Sequence, residues 1–225
     1  IDIIFKNTAL VLSSFVAIIL LGIILVVFFQ SFESFSRYGL KFLVTSEWNP
    51  VKDEYGAFTA IYGTLVTSFL SLLITIPLGV GTAIFITEDF VPKVVREIIG
   101  SFVELLAAIP SVVLGLWAIF VMEPFFRAFF VFLHNFFGWI PLFSTEPTGR
   151  NSLLAILILV VMLLPIVTSI ARDSLNQVPK KLRNAAYGIG ASRWKTIFSV
   201  ILPAALSGIM AGVLLALGRA MGETM

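Results

Sequence analysis

The sequence predicts an all-α protein assembled from membrane-crossing helices. Three observations lead there. Hydrophobic residues make up 59% of the 225-residue chain and charged residues only 12%, with a mean hydropathy of +1.04. A soluble domain is about a quarter charged, and a globule of this size cannot hide so much apolar surface from water. The apolar residues also gather in five stretches of about 20 residues or more, enough to cross the hydrocarbon core. Each is rich in Leu, Ile and Val and far exceeds strand length, so each reads as helix.

The first stretch, residues 9–29, is interrupted only by Ser13, Ser14 and Gly22. The second, 60–86, carries Thr64, Thr67, Ser68, Ser71 and Pro77, with Gly79 and Gly81 offering further bending. The third, 98–122, encloses Glu104 and Pro110, and the proline must kink or locally unwind it. Residues 123–151 follow with Phe125, Phe126, Phe129, Phe130, Phe132, Phe136, Phe137, Trp139 and Phe143. Aromatic rings favour the membrane–water boundary. This segment therefore reads as an interfacial helix on the outer surface, Arg127 and His134 toward the headgroups, or else as a short re-entrant segment. The fourth stretch, 152–170, carries Pro165, and the fifth, 197–222, starts near Pro203. No internal repeat, low-complexity tract or soluble domain stands out.

Orientation follows from Lys and Arg in the short loops. Residues 171–196 hold Arg172, Lys180, Lys181, Arg183, Arg193 and Lys195 against the single acid Asp173, which predicts a cytoplasmic loop. Counting back, Lys93 and Arg96 of 87–97 and Lys6 lie on the same side, and 30–59 and 123–151 face outward. The chain starts at Ile1 and stops just after an apolar span, so further sequence, including a sixth span, is expected at its ends.

Composition also excludes chemistry. The chain has no cysteine and one histidine, His134, so thiolate chemistry and a histidine metal cluster are ruled out. There is no GxxxxGK[ST] phosphate loop; residues 188–193 begin like a dinucleotide fingerprint but lack its third glycine and follow no strand. If ATP drives this protein, another chain hydrolyses it.

Residues 184–203 read NAAYGIGASRWKTIFSVILP, with the spacing Ala185-Ala186-x3-Gly190-x11-Leu202-Pro203. A short helix is expected around Asn184 to Tyr187, a tight turn at Gly188 and Gly190, and a second helix capped by Ser192. An ordinary basic loop is the alternative. The spacing resembles the EAA loop of ABC-importer permeases, the element that docks on an ATPase subunit. With LLAAIPSVVLGLW at 105–117, TIPLGVGTAIFITED at 75–89 and GRAMGETM at 218–225, the chain resembles the phosphate permease family. The ending is of the PstC type; the PstA-type version usually continues GETAP. The resemblance covers about residues 60–225. Asn184 stands where the family usually has Glu, and Val200 where it usually has Ile.

The resemblance implies a helix bundle of the type I importer (MetI-like) architecture, with an N-terminal helix and outer loop at 1–56 and a permease core at 57–225. It implies a bacterial or archaeal plasma membrane, a cytoplasmic N-terminus, a PstA-like second permease, two PstB-like ATPases and a PstS-like outer binding protein. ATP and Mg would belong to the ATPases; this chain would have no catalytic site, metal or cofactor. The coupling loop would be Asn184, Ala185, Ala186, Gly188, Gly190, Leu202 and Pro203. Lining a substrate pathway, we expect Arg219, Glu223, Ser111 and Glu104. Ionisable groups at membrane depth are costly and face a cavity or a partner. Arg219 and Glu223 are spaced to pair on one helix face, and a guanidinium suits phosphate because its planar fork stays charged. A purely structural Arg–Glu pair is the competing reading. The small residues Ala204, Gly208, Gly212, Ala216 and Ala220 recur every fourth position, as in close helix packing against a neighbouring span or a paired subunit. Two other classes stay open: a permease for sulfate or molybdate, and a stand-alone channel or membrane enzyme working without an ATPase.

Overall fold

The computed structural model describes residues 2–144, 146 and 151–223. Thr224 and Met225, the end of the GRAMGETM segment, lie outside the described residues. The chain divides into two compact units, Ile1–Gly63 and Thr64–Met225.

The first unit begins with α1 (Asp2–Tyr38), followed by α2 (Lys41–Val44) and a hairpin of β1 (Trp48–Asn49) and β2 (Glu54–Tyr55). α1 is apolar on every side and exposed along its length, as at Phe15 and Ile24, which suits a helix solvated by lipid. In the hairpin Trp48 pairs with Tyr55 and Asn49 with Glu54. Asp53 adopts φ 58°, a left-handed turn conformation that Asp tolerates. Its carboxylate is clasped by Arg37 and accepts from the Tyr38 hydroxyl at 3.1 Å. The rings of Tyr38 and Trp48 close on Tyr55 edge-on.

α3 (Phe58–Thr87) enters the second unit at Thr64 and runs unbroken through Pro77. α4 (Lys93–Ala108), α5 (Ser111–Trp117), α6 (Glu123–Phe137), α7 (Ser152–Gln177), α8 (Lys180–Gly188), α9 (Arg193–Thr196) and α10 (Leu202–Met221) follow. α7 is the axis: Leu163, Val167, Ala171 and Leu175 are almost wholly buried. α3 packs on it through Leu72, Ala83 and Ile84, and α10 through Ala205, Ile209, Ala216 and Ala220. Ala118, Met122 and Phe130 cover Leu154 near the other end. The small residues of the fifth stretch explain the α7–α10 contact. A methyl group added at Gly212 would come within 2.9 Å of the Ile170 Cβ, and one at Gly208 would overlap the Ser174 hydroxyl. The ladder is thus used inside the chain, where bare backbone lets the helices approach.

Among the described residues five helical segments are long and apolar enough to span a membrane: Ile4–Tyr38, Phe58–Thr87, Ser111–Phe137, Ser152–Gln177 and Arg193–Met221. The third differs from expectation. Residues 98–122 are not one helix. Ile109 is driven into extended backbone (φ −75°, ψ 125°) and Pro110 opens a new helix, because a proline ring clashes with a helical residue before it. α4 becomes a separate amphipathic helix. The segment expected to lie as an interfacial helix continues the third span instead, since α5 runs through a wide π turn (Ala118–Met122) into α6. A second π turn (Ile197–Ile201) joins α9 to α10. Each precedes a proline, Pro124 or Pro203, at the second position of the next α segment. Widening the turn relieves the clash of the ring with the carbonyl one turn earlier.

Candidate functional site

The loop between α7 and α10 is built as its spacing predicts. α8 ends in a Schellman cap. Gly190 takes φ 82°, its N–H donates to the Tyr187 carbonyl at 2.9 Å, and the Ala191 N–H donates to the Ala186 carbonyl at 3.0 Å. Left-handed backbone is what glycine permits cheaply. Gly188, by contrast, is the last residue of α8 and needs no special φ. Ser192 caps α9, its hydroxyl accepting from the Lys195 N–H at 3.3 Å.

The element is anchored on one side and bare on the other. Ala186 is buried, and Ile197, Ile201 and Leu202 join the core around Ala171 and Leu175. Asn184, Ala185, Gly188, Gly190 and Pro203 are exposed. Ile189 is 88% exposed, and Leu182, Tyr187, Trp194 and Phe198 also present apolar surface outward. An exposed apolar tip on a rigidly capped turn is suited to insertion in a partner's groove.

Sequence reading missed what holds this loop. The corner between α3 and α4, residues 88–92, grips it. Glu88, 6% exposed, forms an ion pair with Arg183 of α8, whose second guanidinium nitrogen donates to the Leu175 carbonyl at 2.9 Å. Arg193 donates to the Asp89 carbonyl at 2.9 Å and lies over the Phe90 ring. Phe90, Trp194 and Phe198 form a run of neighbouring rings, and the Asp89 carboxylate pairs with Arg96 at 2.6 Å. The available signal was complementary charge at Glu88 and Arg183; the Arg193 contact goes to a backbone carbonyl, which no side-chain pattern announces.

The four pathway candidates are not brought together. Among the described residues no hydrogen bond or ion pair joins Arg219, Glu223, Ser111 and Glu104 to one another. Glu104 does not lie inside a span; it is on α4 and accepts from Arg172 near the end of α7 at 3.0 Å, while Arg172 also reaches Asp173 at 3.4 Å. Ser111 opens α5, half-buried at the Pro110 break. α10 stops at Met221, so Glu223 falls beyond the helix, and the expected pair with Arg219 does not form among the described residues.

Arg219 is exposed, with no ion-pair partner among the described residues. Its depth follows from register. Gly208 faces Ser174 and Gly212 faces Ile170, so α10 and α7 run antiparallel, one residue up for one residue down. Carried on, Arg219 is level with Leu163, about 17 Å from the Ser152 end of α7 and about 21 Å from the Gln177 end. Arg219 therefore stands in the last turn of α10 but level with the middle of α7, a depth where charge is tolerated only against water, a ligand or another polar group.

Residues 75–225 match the family described as binding-protein-dependent transport system inner membrane component. The chain is 42% identical to the phosphate transport system permease protein PstC of Mesorhizobium japonicum, covering all of this chain and 70% of that protein. It is 40% identical to PstC of Pasteurella multocida, covering all of this chain and 72% of the relative. Among solved structures, an inward-facing form of the MetNI methionine ABC transporter (CY5 SeMet soak crystal form) superposes with a TM-score of 0.58 at 20% identity, covering 72% of this chain and 68% of that one.

Proposed function

The chain belongs to the family of binding-protein-dependent transport system inner membrane components, and from that premise we propose that it lines the path of inorganic phosphate in an ATP-driven importer. It is a multi-pass membrane permease subunit. The observation that favours an oxyanion is Arg219: a permanently charged fork in the last turn of α10, unpaired among the described residues and level with the middle of α7. A guanidinium donates two parallel hydrogen bonds to phosphate and does not deprotonate when its surroundings dry out. The likeness to PstC proteins over all of this chain supports phosphate as that anion.

The energy source in this reading is a separate ATPase pair that binds ATP and Mg and docks on the α8–α9 turn. A second permease, PstA-like, completes the passage, and a PstS-like binding protein delivers phosphate to the outer face. The basic α7–α10 loop and the N-terminus lie in the cytoplasm. Ser111, at the break between α4 and α5, and Glu223 remain proposed pathway residues. Glu104, engaged by Arg172, is proposed to act at the inner end of the path.

The test is uptake of labelled phosphate by cells or vesicles holding the complete transporter, with sulfate and molybdate as competitors. Phosphate alone should compete at concentrations near the binding protein's saturation, and Arg219→Gln should abolish uptake at unchanged membrane levels while Arg219→Lys retains part of it. Competition by sulfate or molybdate instead assigns a different oxyanion. Wild-type uptake by Arg219→Gln removes Arg219 from the path.

A further inference from the structure

We propose that Glu88 and Arg183 are positioning residues for coupling: they close a clasp that makes the α3–α4 corner and the α8–α9 turn move as one body. The inference rests on the reading that an ATPase docks on that turn. Its basis is the set of contacts between two segments far apart in sequence. Glu88 is buried and paired with Arg183, which is itself tied to the Leu175 carbonyl in the last turn of α7. A second tie runs alongside, from Arg193 to the Asp89 carbonyl, closed by the rings of Phe90 and Trp194, whose centroids are 5.0 Å apart. One tie would pin a point; two ties at opposite ends of the turn fix its orientation as well.

The consequence is mechanical. Without the clasp the turn is continuous in sequence only with α7 and α10, and a push from an ATPase reaches α3 only through side-chain packing. With it, the same push reaches α3 directly through Glu88 and α4 through the Asp89–Arg96 pair. A buried carboxylate that loses its cation is left uncompensated, so the clasp is held shut by the cost of opening it. The pair is also off the exposed face of α8, so it serves the turn's orientation rather than the docking contact itself.

The experiment uses the complete transporter in vesicles with its binding protein, measuring phosphate uptake and ATP hydrolysis in the same preparation. Glu88→Gln keeps the shape and removes the charge. It should assemble normally and hydrolyse ATP while uptake per ATP falls about tenfold, the scale of an ordinary coupling free energy. Separately, Phe90→Cys with Trp194→Cys, in a chain that has no other cysteine, is bridged by a short bifunctional thiol reagent. Segments that move together tolerate the bridge, so bridged transporters should keep the uptake of the unbridged double variant. Arrest of uptake by the bridge overturns the proposal, as does a wild-type ratio of uptake to hydrolysis in Glu88→Gln. Equal loss of uptake and hydrolysis in that variant marks a merely structural pair and also overturns it. Should Glu88→Gln fail to assemble, the bridge alone decides. A wild-type preparation with no ATP-dependent uptake would instead sink the importer reading on which the clasp depends.

Discussion

Replacing Gly190 with alanine isolates a backbone effect. Its φ of 82° is left-handed, and a Cβ placed there meets nothing within 4 Å. No clash contributes, so the whole penalty is the conformational one, about 1–2 kcal/mol for an L-residue. At 1.4 kcal/mol per factor of ten, the Schellman-capped turn loses roughly 5- to 30-fold in relative population, and affinity for a docked subunit falls by up to the same factor. The two bonds that define the cap, from Gly190 and Ala191, are what the strained turn gives up. The assay is binding of the purified ATPase subunit to solubilised permease, titrated to a Kd. Gly190→Asn, which tolerates this region of backbone, should stay within a few-fold of the native affinity. Gly188→Ala, at the helical end of α8 with open space around it, should bind normally. Gly190→Arg adds bulk at the docking face and should abolish uptake while the protein still reaches the membrane. Native affinity in Gly190→Ala, or equal damage from Gly188→Ala, would refute the backbone argument.

Gly212→Val should lower thermal stability in detergent by about 1–3 kcal/mol, because its Cβ is forced against Ile170; Gly218→Ala, with nothing near it, should cost nothing, and equal losses would show that α7 and α10 are not in this register. Orientation is read by cysteines at Ser144 and Ser192: an impermeant thiol reagent added outside intact cells should label the first and not the second, and the reverse pattern inverts the topology.

Much of this molecule was legible in its sequence, for identifiable reasons. A span is a bulk property of about 20 residues, so the existence of five survived even though the third was displaced by about 13 residues at its start. The capped turn was legible because glycine and serine carry strong local preferences at caps. What escaped was non-local. Pro110 was seen, but whether a proline bends a helix or ends it depends on what each half can pack against. Here α4 packs on α7 and pairs its Glu104 with Arg172, and the phenylalanines of α6 find Leu154. The aromatic content that predicted an interfacial helix is equally served by a span whose rings, such as Phe125 and Phe136, face outward. The Glu88–Arg183 clasp joins residues 95 positions apart, and nothing local announces it. The Arg219–Glu223 pair failed for the opposite reason: helical spacing was assumed past Met221, where the helix has ended.

The use of α10 explains why Arg219 is left open. Its small residues Gly208, Gly212, Ala216 and Ala220 are all spent against α7 and α3, and among the described residues no acid on that side pairs with the guanidinium. The opposite side carries Leu206, Met210, Leu214 and Leu215, each half or more exposed or nearly so. On the translocon scale an arginine costs about 2.5–3.5 kcal/mol at a helix centre, and Arg219, in the last turn of α10, costs no more than that. A chain that only needed to pack would place alanine there, as it does one position later at Ala220. In the proposed reading the arginine serves something beyond the described residues: an anion in a wet passage, or a polar group of a second subunit facing α10. The two differ in one respect that structure makes plain. A subunit contact would be satisfied equally by lysine reaching a single acceptor, whereas a tetrahedral oxyanion passing through is best held by a planar fork at a fixed height. Lysine at position 219 thus separates the two, restoring assembly in one case and leaving transport impaired in the other.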